Sequence, residues 1–581
     1  MARKQKLELT WIGKDKRERL EPRVLVEEPS MGHAAPAPDG SAGVTDNLLI
    51  KGDNLLALKA LEAEFTGQVK CIYIDPPFNT GAAFEHYNDG LEHSIWLRLM
   101  RQRIEILWRL LREDGVFWIH IDDKEMAYLK VICDEICGRR NFMNMMVVKT
   151  SDPSGHKTVN PSPYSQTEYV LMYVRNREQY KYEQRYVEAE YDPGYNQFIL
   201  NRDDHFSKWK TTGLNDHVAQ SLGYESTREA NRERGRRAFA SDIAAFALEH
   251  ADAVFQPVAI SNAAGRAIID LREASKDTPG TVLHLPREGY EDIYALNGRQ
   301  VYFYSLKLRD IEGVRAPSKP LTNLWTDIPY NGIAREGGVQ FKNGKKPERL
   351  LWRCIELSTN TGDLVLDSFA GSGTTGAVAH KMGRRWIMVE LGDHADTHIV
   401  PRLNKVIDGD DPGGVTEATG WQGGGSYRYF RLAPSLLQKD RWGQYVISPD
   451  FKPEMLAEAV CKLMGFTYAP SQDRFWQHGA STETDFIYVT TQRLTRDALR
   501  KLSEEVGPTR TLLVCCRAHE ANTFDNLTVR KIPQAVLSKA EWGRDDYSLN
   551  IQDAPPEPIT EADMTDGDDG DDDTGTVEAA E

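Results

Sequence analysis

Val69-Lys-Cys-Ile-Tyr-Ile74 runs straight into Asp75-Pro76-Pro77-Phe78-Asn79-Thr80-Gly81. The first six residues are almost continuously apolar, the pattern of a parallel strand buried on both faces. The second stretch is a turn stiffened by two prolines, each of which locks φ. Upstream, Asn47–Lys51 reads as a short strand and Leu55–Phe65 has helical periodicity. Downstream, Ser94–Arg112 predicts a long amphipathic helix, and Gly115–Ile121 is another buried strand. Met145–Lys149 and Glu168–Arg175 add two strand candidates before the rhythm breaks. It resumes near Leu350 with the strand Leu364–Asp367, the helix Thr374–Met382 and the strand Arg385–Glu390. Strands alternating with helices predict an α/β fold with a doubly wound, mainly parallel sheet. The simplest organisation is one α/β domain in two parts, 45–175 and 315–410, interrupted by an inserted domain at 176–314.

Two motifs carry the chemistry. In the first, the turn holds the Asp75 carboxylate and the Pro76 carbonyl rigidly beside the Phe78 ring. The plain structural alternative is a proline-stiffened turn with an acidic cap. The arrangement suits an exocyclic amine such as that of adenine, a poor nucleophile because its lone pair is delocalised into the ring. Two acceptors can bind the two amine hydrogens and favour a pyramidal nitrogen, while Phe78 offers a stacking face to an extruded base. The second motif is Leu364-Val-Leu-Asp367-Ser368-Phe369-Ala370-Gly371-Ser372-Gly373-Thr374-Thr375-Gly376. A phosphate loop is its usual rival, but the Gly-Lys-Ser/Thr ending of nucleotide triphosphatases is missing. Its acid precedes the glycines, where it favours a cationic ligand such as a sulfonium with an amino-acid end. The next strand ends in Glu390, 17 residues past Gly373, where dinucleotide-type folds bind ribose hydroxyls.

Composition leaves this reading open. Hydrophobic residues make up 40% of the 581 and aromatics 9%, ordinary for a globular chain. The net charge of −16 is concentrated in 553–581, where 12 acidic residues meet no basic one; without that tail the remainder stands at −4. A body that near neutrality can carry a basic groove, and the tail reads as disordered. The start, Met1-Ala-Arg-Lys-Gln-Lys, has no apolar stretch behind it, and no run approaches the ~18 apolar residues of a membrane span. A cytoplasmic protein with no membrane association is expected. The seven cysteines sit in apolar settings and read as buried reduced thiols. Cys133 and Cys137 lack a second pair at zinc spacing, so no metal is expected. Residues 1–44 read as an arm and linker, ending in Ala-Pro-Ala-Pro-Asp-Gly-Ser-Ala-Gly. After Gly420-Trp-Gln-Gly-Gly-Gly-Ser426, residues 427–552 read as a small α/β unit built on Asp485–Thr490, Thr495–Val506 and Thr511–Cys516.

The two motifs closely resemble the beta group of amino-methyltransferases acting on DNA, in which the Asp-Pro-Pro-aromatic motif precedes the Phe-x-Gly-x-Gly loop and target recognition is inserted between them. Lys51-Gly-Asp53-Asn54, Lys345-Lys346-Pro347-Glu348 and Gly383-Arg-Arg-Trp386 extend the likeness. Leu7-Glu-Leu-Thr-Trp-Ile-Gly-Lys14 and Leu20-Glu-Pro-Arg23 are similar to the openings of type III restriction-system modification subunits. The resemblance implies a permuted Rossmann-like methyltransferase fold with the strands ending at Asp75 and Asp367 adjacent. It implies S-adenosylmethionine as methyl donor, held by Asp53, Lys346, Pro347, Asp367, Phe369, Gly371, Gly373 and Glu390. Asp75, Pro76, Pro77 and Phe78 would be catalytic; Phe78 stands where tyrosine is common and keeps the stacking face.

The expected activity is site-specific methylation of adenine N6 in double-stranded DNA by base flipping, as the modification component of a restriction-modification or phage-defence system. The resemblance also implies a homodimer and a helicase-nuclease restriction subunit as partner, with 427–552 contributing to assembly. Carbon-5 methylation needs a cysteine nucleophile, usually in a Pro-Cys pair, and the sequence has none. An N4-cytosine or RNA methyltransferase, or a target-recognition subunit with dispensable catalysis, remains open. Arg232, Arg234, Arg236 and Arg237, and Lys208-Trp209-Lys210, are candidate phosphate contacts; a solvated helix face is the alternative. The arginines of the long helix, Arg98, Arg101, Arg103, Arg109 and Arg112, read as a charged face on a packed helix.

Overall fold

A computed structural model describes residues 8–78, 93–151, 163–439, 441–520, 523–532 and 536, without residues 12, 16, 22, 312, 331, 332, 342 and 343. Asn79-Thr80-Gly81 and the acidic tail lie outside the described residues. The chain divides into two compact units, residues 1–181 with 323–581, and residues 182–322.

The first unit is built on an eleven-stranded sheet. Its strands are β1 (Leu25–Glu27), β2 (His33–Ala35), β3 (Asn47–Lys51), β4 (Val69–Ile74), β5 (Leu111–Ile121), β6 (Phe142–Lys149), β7 (Thr167–Val174), β8 (Leu324–Trp325), β9 (Leu364–Asp367), β10 (Arg385–Glu390) and β11 (Gly425–Leu432). Their spatial order is β1-β11-β3-β10-β9-β4-β5-β7-β6-β8, with β2 also on β11. From β11 to β5 every neighbouring pair is parallel, whereas β7 runs antiparallel to both β5 and β6. All four residues of β9 are buried, as are all of β4 except Lys70. Water is thus excluded from both faces, as the apolar runs require.

Helices cover the sheet: α1 (Asn54–Phe65), α2 (His93–Leu110), α3 (Met126–Cys133), α4 (Glu348–Glu356), α5 (Thr374–Lys381) and α6 (Val400–Asp408). Asp53 starts α1 by accepting from the Leu55 and Leu56 amides at 2.9 and 3.1 Å, which satisfies two of the helix's open donors. Leu55, Leu58 and Leu61 of α1 share one core with Trp96, Met100, Ile104 and Leu107 of α2. β4 and β9 are neighbours. From β4 the chain passes through α2 to β5 on one side, and from β9 through α5 to β10 on the other. Connections leaving to opposite sides of the β4–β9 pair make this a topological switch point, with a crevice at the carboxyl ends of the strands. The expected adjacency of the strands ending at Asp75 and Asp367 is what the structure shows.

Two boundaries differ from expectation. The segment read as a linker contributes β1 and β2, both antiparallel to β11. β11, assigned from the sequence to the third unit, extends the main sheet through parallel pairing with β3. These are long-range pairings of short strands, and no local apolar pattern announces them. α2 also ends two residues early, because Leu111 already begins β5.

The C-terminal part has a five-stranded sheet whose last three strands, Asp485–Leu494, Thr511–His519 and Leu527–Lys531, are parallel. Leu456 and Val460 of the helix Pro453–Met464 share a core with Ile487, Val489 and Cys515. Leu499 and Leu502 of the helix Arg496–Val506 share another with Phe486, Leu512 and Val514. The unit 182–322 carries a six-stranded antiparallel sheet. Its hairpin Ile293–Leu296 to Arg299–Phe303 turns on Asn297 and Gly298, both at positive φ, 51° and 74°, as a tight two-residue loop demands. All seven cysteines are buried and free. Among the described residues no helix is long and apolar enough to cross a membrane.

The N-terminal arm is fastened by charge. Buried Glu21 accepts from Ser435 Oγ and the Leu436 amide, both at 2.6 Å, and neighbouring Arg23 donates to the Ala433 carbonyl at 2.8 Å. Replacing Glu21 with alanine leaves a buried guanidinium without that carboxylate. The substitution is expected to destabilise this part of the chain by about 3 kcal/mol, read as a lowered unfolding midpoint in calorimetry.

Candidate active site at the switch point

β4 delivers the Asp75 turn to the crevice. The Trp96 indole of α2 donates to the Pro77 carbonyl at 2.8 Å and fixes the turn from below. Asp75 is flanked by groups from three other segments. One residue beyond the last β4–β5 pair, Ile74 with Ile119, lies His120, fully buried. Because β7 is antiparallel, its first residues lie beside the carboxyl ends of β4 and β5, and this brings Glu168 in. Lys346, just ahead of α4, closes the group. Its ammonium is 3.3 Å from Asp75 Oδ1 and 3.5 Å from Glu168 Oε2. His120 Nε2 is 2.7 Å from Glu168 Oε2, and its Nδ1 lies 2.8 Å from the Tyr73 hydroxyl and 4.0 Å from Asp75 Oδ1.

The electrostatics separate the two carboxylates. Burial raises the Asp75 pKa, outweighing the opposing pull of Lys346 and His120. Burial works the same way on Glu168, but there Lys346 and His120 win and lower it to about 2. Asp75 Oδ1 is buried and accepts no well-aligned hydrogen bond among the described residues; the lysine contact is a charge contact. A buried carboxylate oxygen with spare accepting capacity is costly unless something binds it. Phe78 packs partly against the core, and its ring has Lys346 Nζ 4.5 Å from its centroid and the His120 ring at 5.8 Å.

β9 delivers the glycine loop to the neighbouring position. Asp367 Oδ1 accepts from the Phe369 amide at 2.9 Å and Oδ2 from Thr375 Oγ1 at 2.5 Å, so the acid shapes the loop. Burial pushes its pKa up to about 7. Glu390 accepts from the Gly371 amide at 2.7 Å and the Gly392 amide at 2.9 Å. Asn54 Nδ2 donates to the Ser368 carbonyl at 2.7 Å, joining the start of α1 to the loop. Behind it, Arg402 donates to Thr374 Oγ1 at 2.8 Å and Glu348 Oε1 at 2.7 Å. The loop's two left-handed glycines differ. A Cβ on Gly371 would meet nothing closer than 3.9 Å, whereas one on Gly373 would meet Ile399 Cγ2 at 2.8 Å. Gly371 leaves backbone open to the crevice; Gly373 permits close packing.

The structure therefore gathers Asp75, Pro76, Pro77, Phe78 and Lys346 at one strand end and Asp53, Asp367, Gly371, Gly373 and Glu390 at the next. Several placements differ from expectation. Lys346 turns its ammonium to Asp75 and Glu168, while its carbonyl accepts from Thr374 Oγ1 of the glycine loop at 3.4 Å. Asp53 is buried, capping α1 and pairing with Arg103 at 3.3 Å. The Phe369 ring lies in the core and Pro347 starts α4, so neither offers a polar side chain. Tyr73, His120 and Glu168 were not picked out by motif. A histidine inside the apolar run Gly115–Ile121 was the available signal, since a buried ionisable group needs a partner. Trp209 is buried and donates to the Arg202 and Asp204 carbonyls at 3.1 and 2.9 Å, so it offers no stacking face. All four arginines of that cluster are exposed; Arg232 and Arg234 pair with Glu233 and Asp242, and Arg236 and Arg237 flank them. Arg103 is buried, and Arg101, Arg109 and Arg112 pair with Glu105, Glu62 and Asp114.

The family model described as DNA methylase, of the N6 and N4 type, matches residues 69–241 and 274–399, more than half of the chain. The chain belongs to the N6/N4 DNA methylase family. It is 37% identical to the Haemophilus influenzae protein named "Probable type III restriction-modification enzyme HindVI Mod subunit", over 67% of this chain and 54% of that one. It is 26% identical to the type III restriction-modification enzyme EcoPI Mod subunit of Escherichia phage P1, over 65% of this chain and 61% of that one. The match thus spans little more than half the length of these relatives. Among solved structures, the PvuII DNA methyltransferase (cytosine-N4-specific) aligns with 64% of this chain and 90% of its own at 14% identity, TM-score 0.29. The fold follows from the chain's own strand order.

The two glycines give a direct test of the loop. Gly373→Ala must displace Ile399 as well as strain the backbone, and is expected to cost about 2–3 kcal/mol. Gly371→Ala carries only the backbone term of about 1 kcal/mol. Calorimetric unfolding of the two variants should rank them in that order.

Proposed function

We propose that the chain transfers a methyl group from S-adenosylmethionine to the N6 amine of adenine in double-stranded DNA, as the modification component of a type III restriction-modification system. The observation that carries this reading is Asp75: a half-buried carboxylate on a proline-stiffened turn, whose buried Oδ1 accepts no well-aligned hydrogen bond among the described residues, beside the glycine loop of the adjacent parallel strand. The residues present fit the methyl donor. Asp367 supplies an acid for its cationic amino-acid end, the Gly371 backbone lies open, and Glu390 can exchange its loop amides for ribose hydroxyls. The donor supplies an electrophilic methyl group; the chain's residues do the rest. Asp75 and the Pro76 carbonyl accept the two amine hydrogens and free the nitrogen lone pair. Phe78 stacks on the extruded base through the face away from Lys346. Trp96 keeps the turn from yielding, so attacking atom and methyl can be held in line.

Adenine is favoured over cytosine by Asp-Pro-Pro and by the type III Mod relatives. The names of those relatives support a restriction partner, and self-association through the C-terminal part belongs to the same reading. The unit 182–322, with Arg236 and Arg237 exposed, is proposed to read the target sequence. Asp75→Ala is expected to lower the methyl-transfer rate by about 10²-fold or more while calorimetry finds S-adenosylmethionine binding largely retained. Near-normal turnover in that variant would refute the role given to Asp75.

Asp367 predicts a pH dependence. Its carboxyl in the free chain is raised to about 7, so below that pH it carries a proton that a bound cation must displace. Affinity for S-adenosylmethionine should therefore rise with pH, by up to about tenfold per unit below 7, and level off above it. Asp367→Asn should weaken binding and flatten the profile, as measured by calorimetric titration.

A further inference from the structure

The turn that follows β10 carries a buried histidine that the methyl-transfer reading leaves unused. His394 lies four residues beyond Glu390, and its Nε2 is 2.9 Å from Glu390 Oε1. The same oxygen accepts from the Gly392 amide at 2.9 Å, while Oε2 accepts from the Gly371 amide at 2.7 Å. Two backbone amides and one side chain therefore hold this carboxylate.

The imidazole sits in a slot made for it. A Cβ on Gly392 would run into its Cε1 and Nδ1, and Gly392 is not among the residues at positive φ. Space for the ring, rather than backbone conformation, is what calls for glycine there. On another side the Phe341 ring packs against it, with centroids 5.4 Å apart and planes at 64°. Phe341 also meets His398, at 5.5 Å. Asp393, between Gly392 and His394, is tied to Lys51 at the end of β3 at 2.7 Å. The histidine is thus anchored by β3, by its own turn and by Phe341, and none of these belongs to the glycine loop.

We propose that His394 is a positioning residue that keeps the Glu390 carboxylate aimed at the ribose of the methyl donor, and so sets the preference for a hydroxyl-bearing sugar. The inference rests on the methyl-transfer reading above, in which Glu390 exchanges its loop amides for ribose hydroxyls. In that exchange the carboxylate gives up backbone anchors and could turn about its side-chain bonds. His394 holds it from the side away from the loop and need not let go. A ring nitrogen 2.9 Å from a carboxylate oxygen carries a hydrogen whether the imidazole is neutral or charged, so the argument is the same for both forms. The contact is bent while Oε1 is shared with the Gly392 amide, and it can straighten once that amide is released. An acceptor oriented in advance loses less freedom on binding, and a site built to receive a hydroxyl rejects the analogue that lacks it.

The test compares ligands that differ only in the sugar. The full chain is titrated calorimetrically with S-adenosylhomocysteine and with its 2′-deoxy and 3′-deoxy counterparts. With the wild-type chain, at least one deoxy ligand should bind about tenfold or more weakly than the parent, as loss of a hydrogen bond to a charged group requires. His394→Phe keeps a ring between Gly392 and Phe341 but removes the N–H, and should bring that ratio down to about threefold or less. His394→Gln returns an N–H without the ring and should keep a clearly larger ratio than His394→Phe. If His394→Phe does not fold, Gly392→Ala takes its place, since it pushes the native imidazole aside and should lower the ratio in the same way. A ratio unchanged in the deciding variant, with all three ligands weakened alike, would make His394 a packing residue and overturn the inference. So would a ratio lost as fully in His394→Gln as in the deciding variant. Equal binding of the three ligands by the wild-type chain would instead remove the role given to Glu390, and the inference with it. Failure of S-adenosylhomocysteine to bind the wild-type chain would strike at the methyl-transfer reading itself.

Discussion

The parallel pairing of β4 with β9, Cys71 against Val365 and Ile72 against Leu366, is the constraint on which the rest of the site depends. These strands are almost 300 residues apart in sequence, and nothing local joins their ends. Once they pair in this register, Asp75 and Asp367 emerge at the same edge of the sheet. The crossovers on the two sides then leave in opposite directions and open a crevice there. Both strands are buried on both faces, so a slip by one residue would move every side chain into the opposite core, where the close packing does not fit it. The switch point is therefore a rigid place on which to mount a reaction that needs alignment above all.

The surroundings of Asp75 show how such a rigid frame sets chemistry. Burial raises the pKa of both Asp75 and Glu168. Lys346, held beside both, ionises one more effectively than the other, because Glu168 also has His120 at 2.7 Å. Two carboxylates in one site thus acquire different roles through their neighbours rather than their identity. The glycine loop follows a similar economy. Asp367 shapes the loop through the Phe369 amide and the Thr375 hydroxyl, and Glu390 through the Gly371 and Gly392 amides.

Much of this was legible in the sequence, and the reasons it was can be stated. Val69–Ile74 and Leu364–Asp367 are buried on both faces, so their patterns admit only strands. The prolines of the Asp75 turn and the acid-before-glycine order of the second motif are chemically narrow. What was not legible depended on distant partners. β1 and β2 are three residues each and are strands only because β11 is beside them. Trp209 looked like an exposed aromatic between two lysines and is a core residue instead. Glu168 and His120 carry no motif; the antiparallel run of β7 brings Glu168 to the site, and only the sheet order reveals it. The resemblance puts Lys346 with the cofactor loop, which its carbonyl touches at Thr374; that its ammonium also lies beside the two carboxylates is visible only in the fold.

The central claim is that this crevice methylates the exocyclic nitrogen of adenine in DNA. The most direct measurement incubates the purified chain with double-stranded host DNA and S-adenosylmethionine carrying an isotopic methyl, digests the DNA to nucleosides and identifies the labelled one by mass spectrometry. The account predicts label in N6-methyladenosine of the deoxy series and nowhere else. Label in N4-methylcytosine, or none in DNA while RNA is labelled, would contradict it.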